Sequence, residues 1–399
     1  MDFQAYQQAL RQRVGVTGLA FTTDEYARRQ EAVLGRMASA GLDALLVTDP
    51  SDILYLTGYS TFEVSVHTAL ALSNAGATLQ VPSIETGPGV TGSVADRVVG
   101  YRWESGRTVV SQLLGELRRL LDTRRPSVGV DPWQPGLRPG VLDDLREQAT
   151  DWRFEDGSGI VDPVRLVKSD AELDMLRASA RVTEAGIEAA SRTVRAGATD
   201  NDVAAAASQA MLSAGGEFMS MQPIVVAGWR SSVIHTNHQR HRIEAGEPVF
   251  MELGAAWNRY TAPMMRTVVA GGASPAMGET FETIRAIRDA LSRHMIPGET
   301  FDRAAAEAER ALAPLAESVF FSGVYGYAVG AQFPPSWVEG TGFIARGEES
   351  VFQENMVFHL PLCLRRPGEW GIGCSDTVRV TYSGAVPITR NEWTLPERA

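Results

Sequence analysis

Cysteine is nearly missing from this chain of 399 residues, with Cys363 and Cys374 the two present. Two late thiols make neither a disulfide framework nor a zinc ribbon, and their scarcity fits a reducing compartment, so a cytoplasmic protein is expected. Long apolar runs are missing as well. No window approaches the ~18 uncharged apolar residues that cross a bilayer, and the first stretch, MDFQAYQQALRQRV, lacks the apolar core of a signal peptide. Positive charge is in deficit: 37 Lys and Arg face 48 Asp and Glu, and a balance of −11 repels phosphate backbones and anionic lipid alike. Neither nucleic acid nor a membrane is an expected partner. No internal repeat or low-complexity tract is visible.

What is there is a globular composition, 44% hydrophobic and 21% charged, enough at ~150 residues per domain for two domains with cores. In the first third, helix and strand signals alternate. Thr23 and Asp24 cap a helix over EYARRQEAVLGRMASA that Gly41 stops, followed by an apolar strand at 44–48. Further strands are predicted at 67–72, 77–82 and 127–130, with a helix at 109–121, which makes residues 1–161 an α/β domain. Asp162-Pro163 marks a break, because proline disfavours helix in the residue before it. Residues 162–399 then read as α+β: helices at 170–194 (capped by Ser169 and Asp170), 199–214, 278–295 and 303–315, and strands at 223–228, 248–257, 266–272, 356–362 and 375–384.

Titratable and aromatic side chains crowd into residues 231–267. His235, His238 and His241 recur every three residues, a spacing that invites a metal reading, but the segment lies between strands and supplies no Asp or Cys. Glu252 stands inside the apolar run VFMELGAAW. Burying a carboxylate is costly unless it is paired or needed, so it is either an ion-pair partner of Arg259 or Arg266 or a pocket carboxylate acting as base, nucleophile or cation clamp. His359 in MVFHLPL and Ser375-Asp376 are the other polar groups set in apolar strands. The stretch GYAVGAQFPPSWVEG supplies Tyr327, Phe333 and Trp337 as pocket walls, with Glu339 a further carboxylate.

Taken together, these segments resemble the creatinase/aminopeptidase P superfamily, whose catalytic half has the pita-bread fold. LVTDPSDILYLTGYS is similar to its N-terminal domain and VRLVKSDAELDMLRASARVTEAGI to the entry helix of its catalytic domain. The resemblance thus implies an α/β N-terminal domain, 1–161, and an α+β pita-bread catalytic domain, 162–399. In the metallopeptidases of that superfamily two Asp, one His and two Glu hold two metal ions. The matching positions here are Glu252, Pro263, Tyr327, Pro361 and Ser375, of which proline offers no side-chain donor and Tyr and Ser are poor ones. The resemblance is therefore to a metal-free branch, with no metal and no cofactor expected. Creatinase itself fits poorly, since its two guanidinium-gripping glutamates fall at Met265 and Pro361. The ectoine-hydrolase branch is more similar: Glu252, Arg259-Tyr260, Pro263, Arg266-Thr267, Gly326-Tyr327, Pro334-Pro335, Trp337, Asn355-Met356, Phe358-His359-Leu360 and Trp370-Gly371-Ile372 keep its spacing. One departure is Gly373, where that branch leads one to expect Glu.

The resemblance implies hydrolysis of a C–N bond in a small cyclic amidine such as ectoine or hydroxyectoine, giving an N-acetyl-diaminobutyrate. An amidinium carbon is electrophilic without a Lewis acid. Glu252 would attack it or deprotonate a water that does, and His235, at the place of the family's substrate-side histidine, would protonate the leaving nitrogen. The candidate substrate-binding residues are Arg259 and Arg266 for a ring carboxylate, Tyr260, Tyr327, Phe333, Trp337 and His359 as walls, and Phe62 and His67. The last two belong to a lid after Gly58-Tyr59 that relatives place over a partner subunit's site, so a homodimer with a shared active site and a small zwitterionic or cationic substrate are the expected partners. The alternatives are an amidinohydrolase acting on another guanidino or amidino compound, and a non-catalytic binding protein; an Xaa-Pro metallopeptidase is disfavoured by Pro263 and Pro361.

Overall fold

Alternation decides the N-terminal architecture. In the strand Ala44–Val47, Leu45 and Val47 point to one face of a sheet and Ala44 and Leu46 to the other, and all four are buried. A strand with both faces covered needs helices on both sides. The computed structural model, which describes residues 2–134 and 136–398, supplies them. Leu45 and Val47 pack with Val33 and Met37 of the helix Thr23–Ser39 and with Ile53 and Leu56 of the helix Pro50–Thr57. Ala44 and Leu46 pack with Leu113, Leu114 and Leu117 of Val109–Leu120 and with Leu142 and Leu145 of Pro139–Gln148. The sheet has six strands in the order Arg97–Tyr101, Gly76–Pro82, Ala69–Ser73, Ala44–Val47, Ser127–Val130 and Arg153–Asp156. The two outermost strands, short and partly polar, fall outside the sequence expectation, as do the helices Pro50–Thr57 and Pro139–Gln148.

The chain divides into two compact units, Met1–Arg165 and Leu166–Ala399. The break is expected after residue 161, where a short helix, Asp162–Leu166, begins; within the first unit its Arg165 donates to Asp52 at 2.7 Å.

The second unit carries two sheets, each with a helix pair. A four-stranded sheet runs Glu397–Arg398, Met264–Ala270, Pro248–Leu253, Ile224–Ala227. On it lie Asp170–Thr193 and Asp200–Ser213, each started by a capping box, from Ser169 with Glu172 and from Thr199 with Asp202. A five-stranded sheet runs Val338–Ile344, Gly326–Val329, Val357–His359, Thr377–Thr381, Gly384–Pro387, beneath Pro275–His294 and Phe301–Leu312. A separate ribbon pairs Cys363–Arg366 with Trp370–Gly373. The expected strand at 248–257 ends at Leu253 because the chain turns in at Gly254, where a Cβ would lie 2.7 Å from Thr261 and 2.9 Å from Trp337.

In both sheets alternation sorts the side chains. Val249, Met251 and Leu253 face the first helix pair, leaving Phe250 and Glu252 on the other side. Ala328 and Phe358 face the second pair, leaving Tyr327 and His359 opposite each other in register on the helix-free face. The polar members of these strands therefore meet where no helix covers them.

Candidate active site

Glu252 lies at that meeting point, with 12% of its side chain exposed. Burial pushes its carboxyl up to about 7, against the opposing pull of Arg365 and of a hydrogen bond from Tyr327. The Tyr327 hydroxyl is 3.4 Å from Glu252 Oε1, accepts from Trp337 Nε1 at 2.9 Å and lies 2.7 Å from His359 Nδ1. On its far side, His359 Nε2 meets Ser375 Oγ at 2.6 Å, and Ser375 Oγ accepts the Met265 N–H at 2.8 Å. His359 is fully buried, and desolvation lowers its pKa to about 3, so the ring is neutral and one nitrogen donates while the other accepts.

The proton arrangement that serves Glu252 runs one way. Ser375 O–H donates to His359 Nε2, Nδ1–H donates to the Tyr327 oxygen, and the Tyr327 O–H is left for Glu252. Reversing the chain would hand the Tyr327 proton to His359 and leave the carboxylate without it. Burial and the Glu252 charge hold the Tyr327 hydroxyl well above its ordinary value, so it serves as a donor and not as a phenolate.

Other residues nominated from sequence have structural duties. Arg259 is 2% exposed and donates to the Phe218 carbonyl at 2.5 Å, to Ser220 Oγ at 2.7 Å and to the Gln332 carbonyl at 3.0 Å. Its guanidinium stacks between Phe218 and Phe333 and lies 3.6 Å from Glu217, so neither an ion pair with Glu252 nor a free anion site is available there. Arg266 is excluded by the pleat. Met265 pairs with Glu252 and Arg266 with Met251, which puts Arg266 on the opposite face, where its Nε donates to Asn391 at 3.0 Å. Tyr260 is buried and donates to Glu172 at 3.0 Å, tying its strand to the capping box. Glu339 is held by Lys168 at 2.8 Å.

His235 is exposed, at φ +56° in the loop after the 3₁₀ turn Gly228–Ser232, and among the described residues no hydrogen bond joins it to Glu252. His238 is engaged with Asn237 at 2.8 Å and His241 with Glu247 at 2.9 Å, so the three histidines do not converge. In the first unit, Phe62 is 75% exposed, but His67 is buried. It meets Gln80 at 3.2 Å, and desolvation lowers it to about 4. That is a packed core histidine, not a lid group. Gly373 departs from the expected Glu because the space is filled: a Cβ there would lie 2.5 Å from the Phe250 ring.

Residues 174–382 match the model of metallopeptidase family M24, more than half of the chain, and residues 29–167 match the creatinase/prolidase N-terminal domain. The chain belongs to family M24. Within M24 it is 23% identical over 391 residues to an ectoine hydrolase of Halomonas elongata, covering 92% of this chain and 95% of that one. It is equally, 23%, identical over 356 residues to an Xaa-Pro dipeptidase of Pyrococcus horikoshii, covering 89% and 95%. A solved Xaa-Pro dipeptidase from Bacillus anthracis superposes with a TM-score of 0.80 at 20% identity, over 93% of this chain and 99% of that one. The fold is therefore the two-domain M24 architecture, with a creatinase-type N-terminal domain and a pita-bread domain.

The family description raises a metal centre, and the donors here do not fit one. Pro263 and Pro361 have no side-chain donor, and the Tyr327 and Ser375 hydroxyls are both engaged with His359. Among the described residues no group of three or more His, Cys, Asp or Glu is placed to hold a metal ion. Glu252 is left as a lone carboxylate, whereas two divalent ions need several such ligands.

Proposed function

We propose that this M24 hydrolase opens a small cyclic amidine, of which ectoine is the model, by adding water to the amidinium carbon with Glu252 as general base. The observation that carries the reading is a single buried carboxylate, backed by the Tyr327–His359–Ser375 chain, at a position where the family's other metal-ligand sites hold Pro263 and Pro361. A carboxylate in a desolvated cleft attracts a delocalised cation, and a carboxyl poised near 7 is matched to taking a proton from water at neutral pH. Oxygen bonds to the ring carbon between the two nitrogens, one ring C–N bond breaks, and the freed nitrogen takes up a proton. We assign that proton delivery to His235, carried on an exposed loop. The product is an N-acetyl diamino acid. The similarity to ectoine hydrolase supports the substrate class, and the similarity to Xaa-Pro dipeptidases defines the rival outcome.

The test is a screen of ectoine, hydroxyectoine, other cyclic amidines and guanidines, and Xaa-Pro dipeptides, read by mass spectrometry with and without chelator. Amidine opening that survives chelation is the expected result. Dipeptide cleavage that chelator abolishes and Mn, Co or Zn restores would overturn the reading.

A further inference from the structure

The ribbon of Cys363–Arg366 and Trp370–Gly373 places Arg365 across from Gly371 and Cys363 across from Gly373. Both glycines clear space. A Cβ on Gly371 would lie 2.2 Å from the Ser231 carbonyl and 3.2 Å from Arg365 Cγ, and one on Gly373 would strike Phe250. Over the bare ribbon, Arg365 Cζ comes to 5.9 Å from the Phe250 ring centroid. Phe250 is two residues before Glu252 on the same face of the same strand, and the Arg365 charge acts on the Glu252 carboxyl.

This arginine is poorly satisfied. It is 9% exposed, its Nη1 makes one long 3.5 Å contact to the Cys363 carbonyl, and its Nε has no partner. A guanidinium offers five N–H donors in a fork shaped for a carboxylate, and burying it with so few partners is unfavourable. Two buried counterparts are placed differently: Arg29 meets Glu25 at 3.0 Å and Arg165 meets Asp52 at 2.7 Å. Among the described residues, no carboxylate comes as close to Arg365. The loop bearing His235 is pinned to this ribbon, because Ser231 Oγ accepts the Gly371 N–H at 2.8 Å and Ser232 Oγ the Gly368 N–H at 3.0 Å.

We propose that Arg365 anchors a carboxylate of the substrate, so that the site takes a zwitterion with its cationic carbon at Glu252 and its anionic end on the guanidinium. The proposal rests on the hydrolase reading above and replaces Arg259 and Arg266 as the anion partner. Glu252 alone would select any small cation; the pair selects one that also carries an anion at a fixed offset.

The experiment compares wild type, Arg365→Gln and Arg365→Lys on ectoine and on 2-methyl-1,4,5,6-tetrahydropyrimidine, the same ring without the carboxylate. Melting temperatures identify variants that fail to fold, and Arg365→Lys keeps the charge if Arg365→Gln is lost. Arg365→Gln is expected to raise KM for ectoine by about 10–100-fold, as loss of a charge-assisted pair would, while KM for the uncarboxylated ring changes only a few-fold; kcat on the two rings should fall alike, because Glu252 loses the pull of the guanidinium. Arg365→Lys is expected to recover part of the loss. An equal rise in KM for both rings, or an unchanged KM for ectoine, would overturn the proposal. If wild type cleaves neither ring, the amidine reading fails separately. The anchor is then read from an Xaa-Pro dipeptide against its C-terminal amide: a preference for the free carboxylate that Arg365→Gln removes supports it, and no such preference in wild type overturns it.

Discussion

Two buried neighbourhoods of the second unit set a cation near a carboxylate, and they are built in opposite ways. Lys168 and Glu339 close at 2.8 Å with side chains 0% and 2% exposed, and the Thr341 hydroxyl adds a further bond to Glu339 at 3.0 Å. Arg365 and Glu252 form no such bridge. The Arg365 charge acts on Glu252, yet the guanidinium keeps an unpartnered Nε and the carboxylate turns to Tyr327. A closed pair has met its desolvation cost internally and has nothing left for a ligand. An open pair stores that cost until a molecule with the complementary charges arrives.

The widest separation of the two pairs is expected in activity. Glu252→Gln keeps the shape of the side chain but removes its basicity, so turnover should fall by about 10²–10⁴-fold while the fold persists. The same change at Glu339 should leave kcat within a few-fold, provided the protein remains folded. Steady-state rates with circular dichroism on both variants check the contrast, and wild-type kcat in Glu252→Gln would end the catalytic assignment.

Stability should reverse the order. Lys168→Met leaves Glu339 buried without this partner and should cost about 3–5 kcal/mol. Arg365→Met removes a charge with no bridge to break and with its desolvation cost unmet, so stability should be unchanged within about 1 kcal/mol or should rise. Urea unfolding of the two variants measures this, and equal losses would mean that Arg365 is as tightly bound into the fold as Lys168.

How much of this was legible in the sequence follows from where the pleat can be read. Alternation within one strand is local, so the apolar runs gave the inner strands, and Glu252 and His359 stood out as polar residues inside VFMELGAAW and MVFHLPL. The same alternation contains the correction at Arg266: one step from the residue that pairs with Glu252, it must face away. Register between distant strands is not local. Nothing in PLCLRR tells that Arg365 reaches the neighbourhood of a residue more than a hundred positions earlier, so proximity along the chain favoured Arg259. A signal did exist, since one of two adjacent strand arginines has to turn inward. Gly373 was likewise visible as a departure, but its reason, the Phe250 ring, required the packing. The edge strand Arg153–Asp156 escaped because exposure had diluted its apolar pattern, whereas in Arg97–Tyr101 the buried Val98-Val99 pair is cut short by Gly100.

Linkage sharpens the comparison further. The Glu252 carboxyl moves from its ordinary 4.5 to about 7 on folding, so the folded chain binds its proton more tightly than the unfolded chain. Stability contributed by this group is present below 4.5 and is lost as pH rises through 7. Glu252→Gln removes the loss, so at pH 8 the variant should be more stable than wild type by roughly 2–3 kcal/mol, and at pH 4 the two should match. His359 works in the other direction, lowered from 6.5 to about 3, so that its contribution disappears as pH falls below 6.5. It is present in both proteins and cancels in the difference. Melting curves at pH 4, 6 and 8 follow the gap, and a gap that failed to widen with pH would place the Glu252 titration elsewhere.

The smallest expected effect belongs to the hydrogen bond that distinguishes Glu252 from Glu339 most directly. At 3.4 Å the Tyr327 contact is long, and a bond of that kind contributes about 0.5–1 kcal/mol. It favours the charged carboxylate, so Tyr327→Phe should shift the acid limb of the kcat profile, where Glu252 takes up its proton, upward from about 7 by less than one pH unit. The direction is diagnostic. A mere packing defect would lower the rate at every pH without moving the limb, whereas loss of the donor moves it. His359→Gln probes the next link: its amide can still meet Tyr327 but cannot both accept from Ser375 and donate to Tyr327 through one rigid ring, so the limb should move the same way and less far. A limb that stayed in place in Tyr327→Phe, with kcat reduced, would make the chain from Ser375 to Tyr327 a scaffold for the cleft wall instead of a support for the carboxylate's charge.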